Sequence, residues 1–355
     1  MIQTLDIPVT RASQSKISQV DFQDIQFGKI YSDHMFIADY DGKQWSKLRI
    51  EPFENFSVSP AMSVLHYGQS IFEGLKAYKN ESGEALIFRP DRNAARFNKS
   101  AVRICMPEIP EEIFLGGMHE VIKLDKDWIP DRVGTSLYIR PFMIATDEYI
   151  GVRPSLTYRF IIFTGPVGAY YSKPVRVKVE KEFVRAAEGG TGFAKTAGNY
   201  AGSLYPAQLA AQEGYDQLIW TDAKNHEYIE EAGTMNIMLV IDDTLITPPT
   251  SGSILDGITR DSILTLAKDW GMKVEVRKVS VKEIVQAIEQ NRLQEAFGAG
   301  TAATVAHIQA IANDGINYEL PAIEDRKFSN KVLKALDDIK YGRTEDTHNW
   351  VMKID

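Results

Sequence analysis

One cysteine, Cys105, is all the thiol chemistry that the 355 residues carry, so no disulfide can form within the chain. A chain without such bridges suits a reducing compartment. Positive charge is also short: 40 Lys and Arg against 48 Asp and Glu leave a formal net charge of −8. That argues against nucleic acid or an anionic membrane as the main partner, while leaving room for a local basic pocket that takes a phosphate. Long apolar runs are missing, and the longest, such as Phe160–Phe163, have the length of a strand. The stretch from Met1 to Gln23 lacks the apolar segment of a secretory signal, and its Arg11 and Lys16 are too sparse for a transit peptide. There is no solenoid-length repeat and no low-complexity tract. These absences together predict a soluble, cytoplasmic protein.

What is present is an ordinary globular composition, 44% hydrophobic and 25% charged, in a chain long enough for two domains. Short strands with turns are expected at Met35–Tyr40, Gln44–Ile50, Gly74–Tyr78 and Ala85–Phe88. From Asp91 the period becomes helical, with Ala94, Phe97, Ala101 and Ile104 on one face and Arg92, Arg96, Lys99 and Arg103 on the other. Leu137–Ile144 and Thr157–Thr164 are β-rich. Gly165–Pro174, with two glycines, two prolines and two tyrosines, is the expected linker, and its tyrosines suggest contact with a ligand. Beyond it come strands at Val175–Val179, Asp216–Thr221, Asn236–Ile241, Val274–Val276 and Ala296–Gly298, and helices at Tyr200–Glu213 and Ile258–Trp270, the last stopped by Gly271. Without strict βαβ alternation, the class expected is α+β in two lobes.

Four stretches and one arginine can carry chemistry. Lys195 stands between glycine clusters, in Gly189-Gly-Thr-Gly-Phe-Ala-Lys195-Thr-Ala-Gly-Asn-Tyr200, where the backbone can approach a ligand closely. A lysine amine forms a reversible imine with an aldehyde cofactor, although a lysine beside glycines is by itself ordinary surface structure. Glu230 and Glu231 precede a strand. A pyridine ring used as an electron sink needs a carboxylate at its nitrogen, and either residue could serve, just as either could be a solvated turn. Gly252–Arg260 leads into a helix whose first N–H groups, including those of Ile258 and Thr259, could seat a phosphate. Phe297–Ala303 is a second small-residue turn able to present N–H groups to an anion. Arg96 is either a solvated charge or a phosphate clamp.

Taken together, these segments resemble the branched-chain aminotransferases, fold-type IV pyridoxal-phosphate enzymes. The resemblance spans roughly residues 30–310. It rests on six strings in the family's order: Leu65-His-Tyr-Gly-Gln-Ser-Ile-Phe-Glu-Gly-Leu-Lys76-Ala, Ser136-Leu-Tyr-Ile-Arg140-Pro, Gly165-Pro-Val-Gly-Ala-Tyr170, Lys195-Thr-Ala-Gly-Asn-Tyr200, Glu231-Ala-Gly-Thr-Met-Asn236 and Phe297-Gly-Ala-Gly-Thr301-Ala302. It implies a two-domain α+β fold like that of the D-amino-acid aminotransferases, with the site at a domain and subunit interface. The expected parts are a small N-terminal α/β domain (1–164), an interdomain loop (165–176) and a large domain (177–355) carrying the lysine.

The resemblance also assigns roles. It implies pyridoxal 5'-phosphate as cofactor, with Lys195 as the Schiff-base lysine and proton shuttle, Tyr200 on the phenolic oxygen and Glu231 rather than Glu230 on the pyridine nitrogen. Arg96, the N–H groups of Ile258 and Thr259, and Thr301 would bind the phosphate. Phe72, Tyr138, Tyr170, Thr234, Met235 and Ala302 match pocket positions, Thr234 beside the cofactor, and Lys76 is not the Schiff-base lysine despite its strong motif. Tyr67 and Val152 resemble residues from a second subunit, which implies at least a homodimer. The implied reaction moves an amino group from L-leucine, L-isoleucine or L-valine to 2-oxoglutarate. An apolar pocket that also admits glutamate must neutralise a carboxylate, and Arg140, two residues after Tyr138 and so on the same strand face, is the candidate.

A D-amino-acid aminotransferase or an aminodeoxychorismate lyase would share the lysine and the carboxylate, but not the Phe-Glu-Gly-Leu-Lys, Leu-Tyr-Ile-Arg-Pro and Gly-Pro-Val-Gly-Ala-Tyr strings. A catalytically dead homologue would not keep every expected position filled. The six histidines are scattered without ligand spacing, so no metal is expected. Some relatives carry a Cys-x-x-Cys pair after the Gly-Thr-Ala turn as a redox switch; here those positions are Ala303 and Ala306. Peroxide should therefore cause no dithiothreitol-reversible inactivation that peptide mapping places at residues 303–306.

Overall fold

Strand His34–Tyr40 (β1), buried over its first five residues, pairs with the mostly half-buried Trp45–Pro52 (β2) across the tight turn at Asp41–Gly42 to make the first hairpin, with Met35 opposite Glu51. The structure, a computed structural model, describes residues 5–168 and 173–355. The described residues divide into two compact units. One runs to residue 168 and also gathers Ala194–Gly198 and Asp338–Asp355; the other holds 173–193 and Asn199–Asp337.

After the hairpin the first unit adds helix α1 (Val64–Tyr67) and strands β3 (Ser70–Phe72), β4 (Leu75–Lys79) and β5 (Ala85–Phe88). Helices α2 (Pro90–Arg103) and α3 (Glu111–Leu124) follow, then strands β6 (Ser136–Ala145) and β7 (Tyr158–Val167). The sheet order is C-terminal strand Val351–Ile354, then β5, β4, β6, β7, β1, β2, with β3 paired to β6. The long β6–β7 ladder sets Tyr138 opposite Gly165 and Arg140 opposite Phe163. Pro90 opens α2 at a position where its missing N–H costs nothing, and Asp91 favours the helix's positive end. The core gathers Phe36, Phe97, Phe114 and Phe160, all fully buried, with Phe160 ringed by Phe97 at 5.3 Å, Phe114 at 5.5 Å and Phe36 at 6.2 Å between centroids.

In the second unit come β8 (Val175–Val179), then β9 (Gln217–Thr221), β10 (Ile229–Ala232), β11 (Met235–Ile241) and β12 (Thr244–Thr247). They are joined by β13 (Lys273–Val276), β14 (Leu293–Gly300), β15 (Thr304–Asn313) and β16 (Ile316–Glu319). Because β10 pairs with both β9 and β11, strands β8, β9, β10, β11, β14 and β15 close a ring. Its filling is aliphatic, including Val177, Ile219, Ile237, Leu239, Ile308 and Ile311. Helices α4 (Ala197–Ala201), α5 (Leu204–Gln212), α6 (Ile258–Asp269), α7 (Val281–Glu289) and α8 (Phe328–Lys340) complete the α-helices among the described residues. Ser280 caps α7 by accepting the Glu283 N–H at 3.0 Å.

The α+β expectation holds: among the described residues, parallel pairing between named strands occurs at β8 with β9 and β15, and β12 with β13, and the remaining strand pairs are antiparallel. Most strand and helix ends shift by one to three residues from the sequence reading, and two differences have a clear local cause. The single helix expected over Tyr200–Glu213 is two, because Gly202 and Ser203 break it and Pro206 suits only the first turn of a new helix. The expected linker begins later than Gly165, since β7 runs to Val167. A Cβ on Gly165 would fall 2.2 Å from the Ile30 carbonyl oxygen, so glycine here admits a backbone crossing over the strand.

Phe160→Ala should remove about 3–5 kcal/mol of stability, the usual cost of emptying a fully buried aromatic site. Urea unfolding of the two proteins checks it, with the loss read as a lowered midpoint at similar slope.

Candidate active site

In the first unit, a short segment around Lys195 is pinned at three points. Thr196 bridges Ile71, the Phe72 N–H donates to the Lys195 carbonyl at 3.1 Å, and the Lys195 N–H donates to Ser100 Oγ at 2.9 Å. The Lys195 ammonium lies 4.8 Å from the centroid of the Phe72 ring. The next residue, Glu73, is fully buried. It accepts Arg96 Nε at 2.8 Å on one oxygen, and Arg96 Nη2 at 2.8 Å and Asn93 Nδ2 at 2.7 Å on the other. Burial pushes the Glu73 carboxyl up, but the Arg96 charge, its hydrogen bonds and the Lys195 charge outweigh that and hold it below the usual carboxylate range. Arg96 is thus buried toward Glu73, whereas the helical period set it on a solvated face with Arg92, Lys99 and Arg103.

Tyr138 and Arg140 share one face of β6, as their spacing requires. Arg140 Nη2 donates to the Tyr138 hydroxyl at 3.0 Å, and its guanidinium carbon lies 4.7 Å from the Phe72 ring centroid and 5.3 Å from that of Tyr138. Arg140 Nε is buried with no hydrogen-bond partner. Beside it opens a cavity of about 130 Å³ lined by Phe27, Tyr31, Tyr138, Arg140, Phe163 and Val167 among others. The Phe27 ring meets Tyr138 edge-on at 5.1 Å. Phe27 and Tyr31 were not singled out in the sequence, because the segment before β1 has no motif that announces contact with β6. Tyr67 and Val152 lie at the surface of this unit, 41% and 91% exposed, beside Leu65, Tyr149 and Ile150, which are also exposed. Tyr170 lies outside the described residues.

In the second unit Glu231 sits on β10, opposite Asn236 and Trp220, and is buried. One oxygen accepts the Leu255 N–H at 3.0 Å and Asn236 Nδ2 at 3.2 Å; the other lies 2.8 Å from Arg185 Nε. These donors meet both oxygens of a carboxylate held out of water. Glu230 is less buried and accepts the Ser253 hydroxyl. Ile258 and Thr259 begin α6 behind Gly257, with no side-chain cap. A Cβ on Gly257 would fall 1.8 Å from Asn236 Oδ1, so the glycine makes room for the amide that serves Glu231. Thr234 is exposed at the β10–β11 turn, and Met235 opens β11, packed against Gly298 and Gly300. Thr301 and Ala302 form the turn between β14 and β15. Tyr200 lies on α4, partly buried. Arg185 carried no signal in the sequence and Glu73 entered only as one letter of the Phe-Glu-Gly-Leu-Lys string, since each acquires its role from the carboxylate or guanidinium that the fold sets against it.

The kinds of group that a phosphorylated pyridine aldehyde requires are present: the first unit offers an amine on Lys195, and the second a buried carboxylate on Glu231 met by donors and a helix start at Ile258 and Thr259 without a side-chain cap. A family model for amino-transferase class IV matches residues 70–311. Branched-chain-amino-acid aminotransferase 2 of Bacillus subtilis (strain 168) is 43% identical over 356 residues, covering 99% of this chain and 97% of that protein. The crystal structure of a branched-chain aminotransferase from Thermoproteus uzoniensis with norvaline superposes with a TM-score of 0.75 at 26% identity, covering 91% of this chain and 100% of that one. The branched-chain amino acid aminotransferase of T.th., complexed with N-(5'-phosphopyridoxyl)-L-glutamate, gives 0.70 at 25% identity, over 90% and 98%. The chain belongs to the class IV amino-transferases, in the branched-chain-amino-acid aminotransferase family.

Proposed function

We propose that the protein transfers the amino group of L-leucine, L-isoleucine or L-valine reversibly to 2-oxoglutarate, in two half-reactions that share pyridoxal 5'-phosphate. Bound, that cofactor supplies the electron sink for charge developing at the substrate Cα. Lys195 would hold it, and its amine would be the group that moves the proton at the substrate Cα. Glu231 holds a proton at the pyridine nitrogen and Tyr200 takes the phenolic oxygen. Arg96, Thr301 and the N–H groups of Ile258 and Thr259 take the phosphate, with Thr234 nearby. Glu73 fixes Arg96 by the bidentate pair described above.

The observation that carries the substrate reading is Arg140, flanked by the Phe72 and Tyr138 rings with a buried Nε that has no partner. Rings supply apolar area for a branched side chain, worth about 1.5–3 kcal/mol. The guanidinium supplies the partner that a glutamate side-chain carboxylate requires in such surroundings. Phe72, Tyr138, Tyr170, Met235 and Ala302 shape the pocket, and Phe27 joins them as a wall against Tyr138. The exposed Tyr67 and Val152 are completed by a second copy of the chain in a homodimer or larger homo-oligomer, each supplying them to its partner's site. Residues 1–164 and the bulk of 177–355 act as the two domains, with 194–198 and 338–355 counted with the first and the joining segment within 165–176 beginning after β7 ends at Val167. No helix among the described residues is long and apolar enough to cross a membrane, and the cytoplasm is the proposed location.

Two outcomes follow. Addition of L-leucine to protein loaded with pyridoxal 5'-phosphate should bleach the visible band of the lysine-bound cofactor, while D-alanine leaves it. A response to D-alanine alone would reject the substrate assignment, and absence of any band would reject the cofactor's role. Arg140→Met should lower kcat/KM for glutamate by about tenfold to a hundredfold, the worth of hydrogen bonds to a charged group, and that for leucine far less. Steady-state kinetics with each amino donor decides it, and equal losses would remove Arg140 from its role.

A further inference from the structure

Glu230 stands next to Glu231 but lies off the regular ladder. Ile229 pairs with Thr221 and Glu231 with the adjacent Trp220, so Glu230 is the extra residue of a β-bulge. A bulge of this kind re-aims a side chain. Here it sends both neighbouring carboxylates toward one guanidinium. Glu230 Oε1 accepts the Ser253 hydroxyl, while Oε2 is buried with no hydrogen-bond partner. The carbonyls of Ser253 and Gly192 both accept Arg185 Nη2, the second at 3.1 Å. Arg185 Nε then lies 2.8 Å from Glu231 Oε2, with both side chains more than nine-tenths buried. A continuous chain of contacts therefore runs from Glu230 through Ser253 and Arg185 to Glu231.

We infer that Glu230 is a positioning residue whose charge state, acting through Ser253 and Arg185, sets how firmly Glu231 holds a proton at the pyridine nitrogen. This rests on the role proposed for Glu231. When Glu230 is neutral, the Arg185 charge acts on Glu231 alone and weakens its hold on that proton. When Glu230 is ionised, its charge offsets Arg185, and the hold strengthens. Four groups face Glu230. Burial pushes its carboxyl above the usual range; the Ser253 hydroxyl and Arg185 pull it back, and Asp222 and Glu188 push it further up. The carboxyl thus ionises only above the pH at which an exposed glutamate does, and the rate rises as pH increases through that point.

The test uses the holoenzyme and its E230Q and S253A variants. Two quantities are followed from about pH 5 to pH 8: kcat/KM for L-leucine, and the visible spectrum of the bound cofactor without substrate. The wild type should rise about threefold to tenfold through one acidic ionisation, the change that a shift of half to one pKa unit at the ring nitrogen produces. Glu230→Gln should flatten that rise in both readouts at unchanged cofactor content. Ser253→Ala, which removes a donor to the charged carboxylate, should move the midpoint to higher pH, and it decides alone where E230Q does not fold. A wild-type profile without the rise, an E230Q profile that keeps it, or an S253A midpoint that stays in place overturns the inference. If the wild type itself shows no visible band, the role of Glu231 fails first; a band that is present and unchanged in E230Q overturns only the role of Glu230.

Discussion

A carboxylate removed from water costs several kcal/mol unless charge and hydrogen bonds meet it there, and both units are organised around meeting that cost. In the first unit Glu73 is met by Arg96 and Asn93, two residues one turn apart on α2. In the second, Glu231 is met by the Leu255 N–H, Asn236 and Arg185, drawn from three different stretches. Much of the surrounding geometry follows. Gly257 lacks a side chain so that Asn236 can turn, and the loop before Lys195 lends its Gly192 carbonyl to hold Arg185. Losing one partner would leave its mate charged and buried, which is worse than losing both.

The fold was legible where a period or a turn residue carried it. The β1–β2 hairpin, α2 and the start of α6 behind Gly257 all follow from patterns within a few residues. What stayed hidden depends on partners far apart in the chain. Arg96 read as one basic residue among four on a solvated helix face, and only the distant Glu73 explains why it turns inward. The choice between Glu230 and Glu231 could not be made from their own surroundings in the sequence. Their different settings come from a bulge and from Arg185, neither of which leaves a local trace. Phe27 likewise gains its place from β6 and not from its neighbours.

Resemblance to a family supplied the names of the site residues, and the structure adds the reasons they stay put. Ser100 and Phe72 tie the Lys195 backbone from two sides, so the lysine's main chain is set before any ligand arrives. Arg140 is held differently, by two rings and one phenol, and keeps a buried nitrogen unspent. The first arrangement fixes a main-chain segment, while the second, under the proposed function, leaves a recognising group able to serve ligands that differ in polarity.

The strand Val351–Ile354 pairs with β5, near the other end of the chain, and its register from Val351 opposite Phe88 to Ile354 opposite Ala85 leaves no local substitute. During synthesis the first unit's sheet therefore waits with β5 as an open edge until residues 351–354 have been made, more than 260 residues later. The order of manufacture and the order of assembly part company here. Removing residues 351–354 would expose an unpaired ladder on a sheet whose other strands are made much earlier, and association between nascent chains is the hazard such an edge presents.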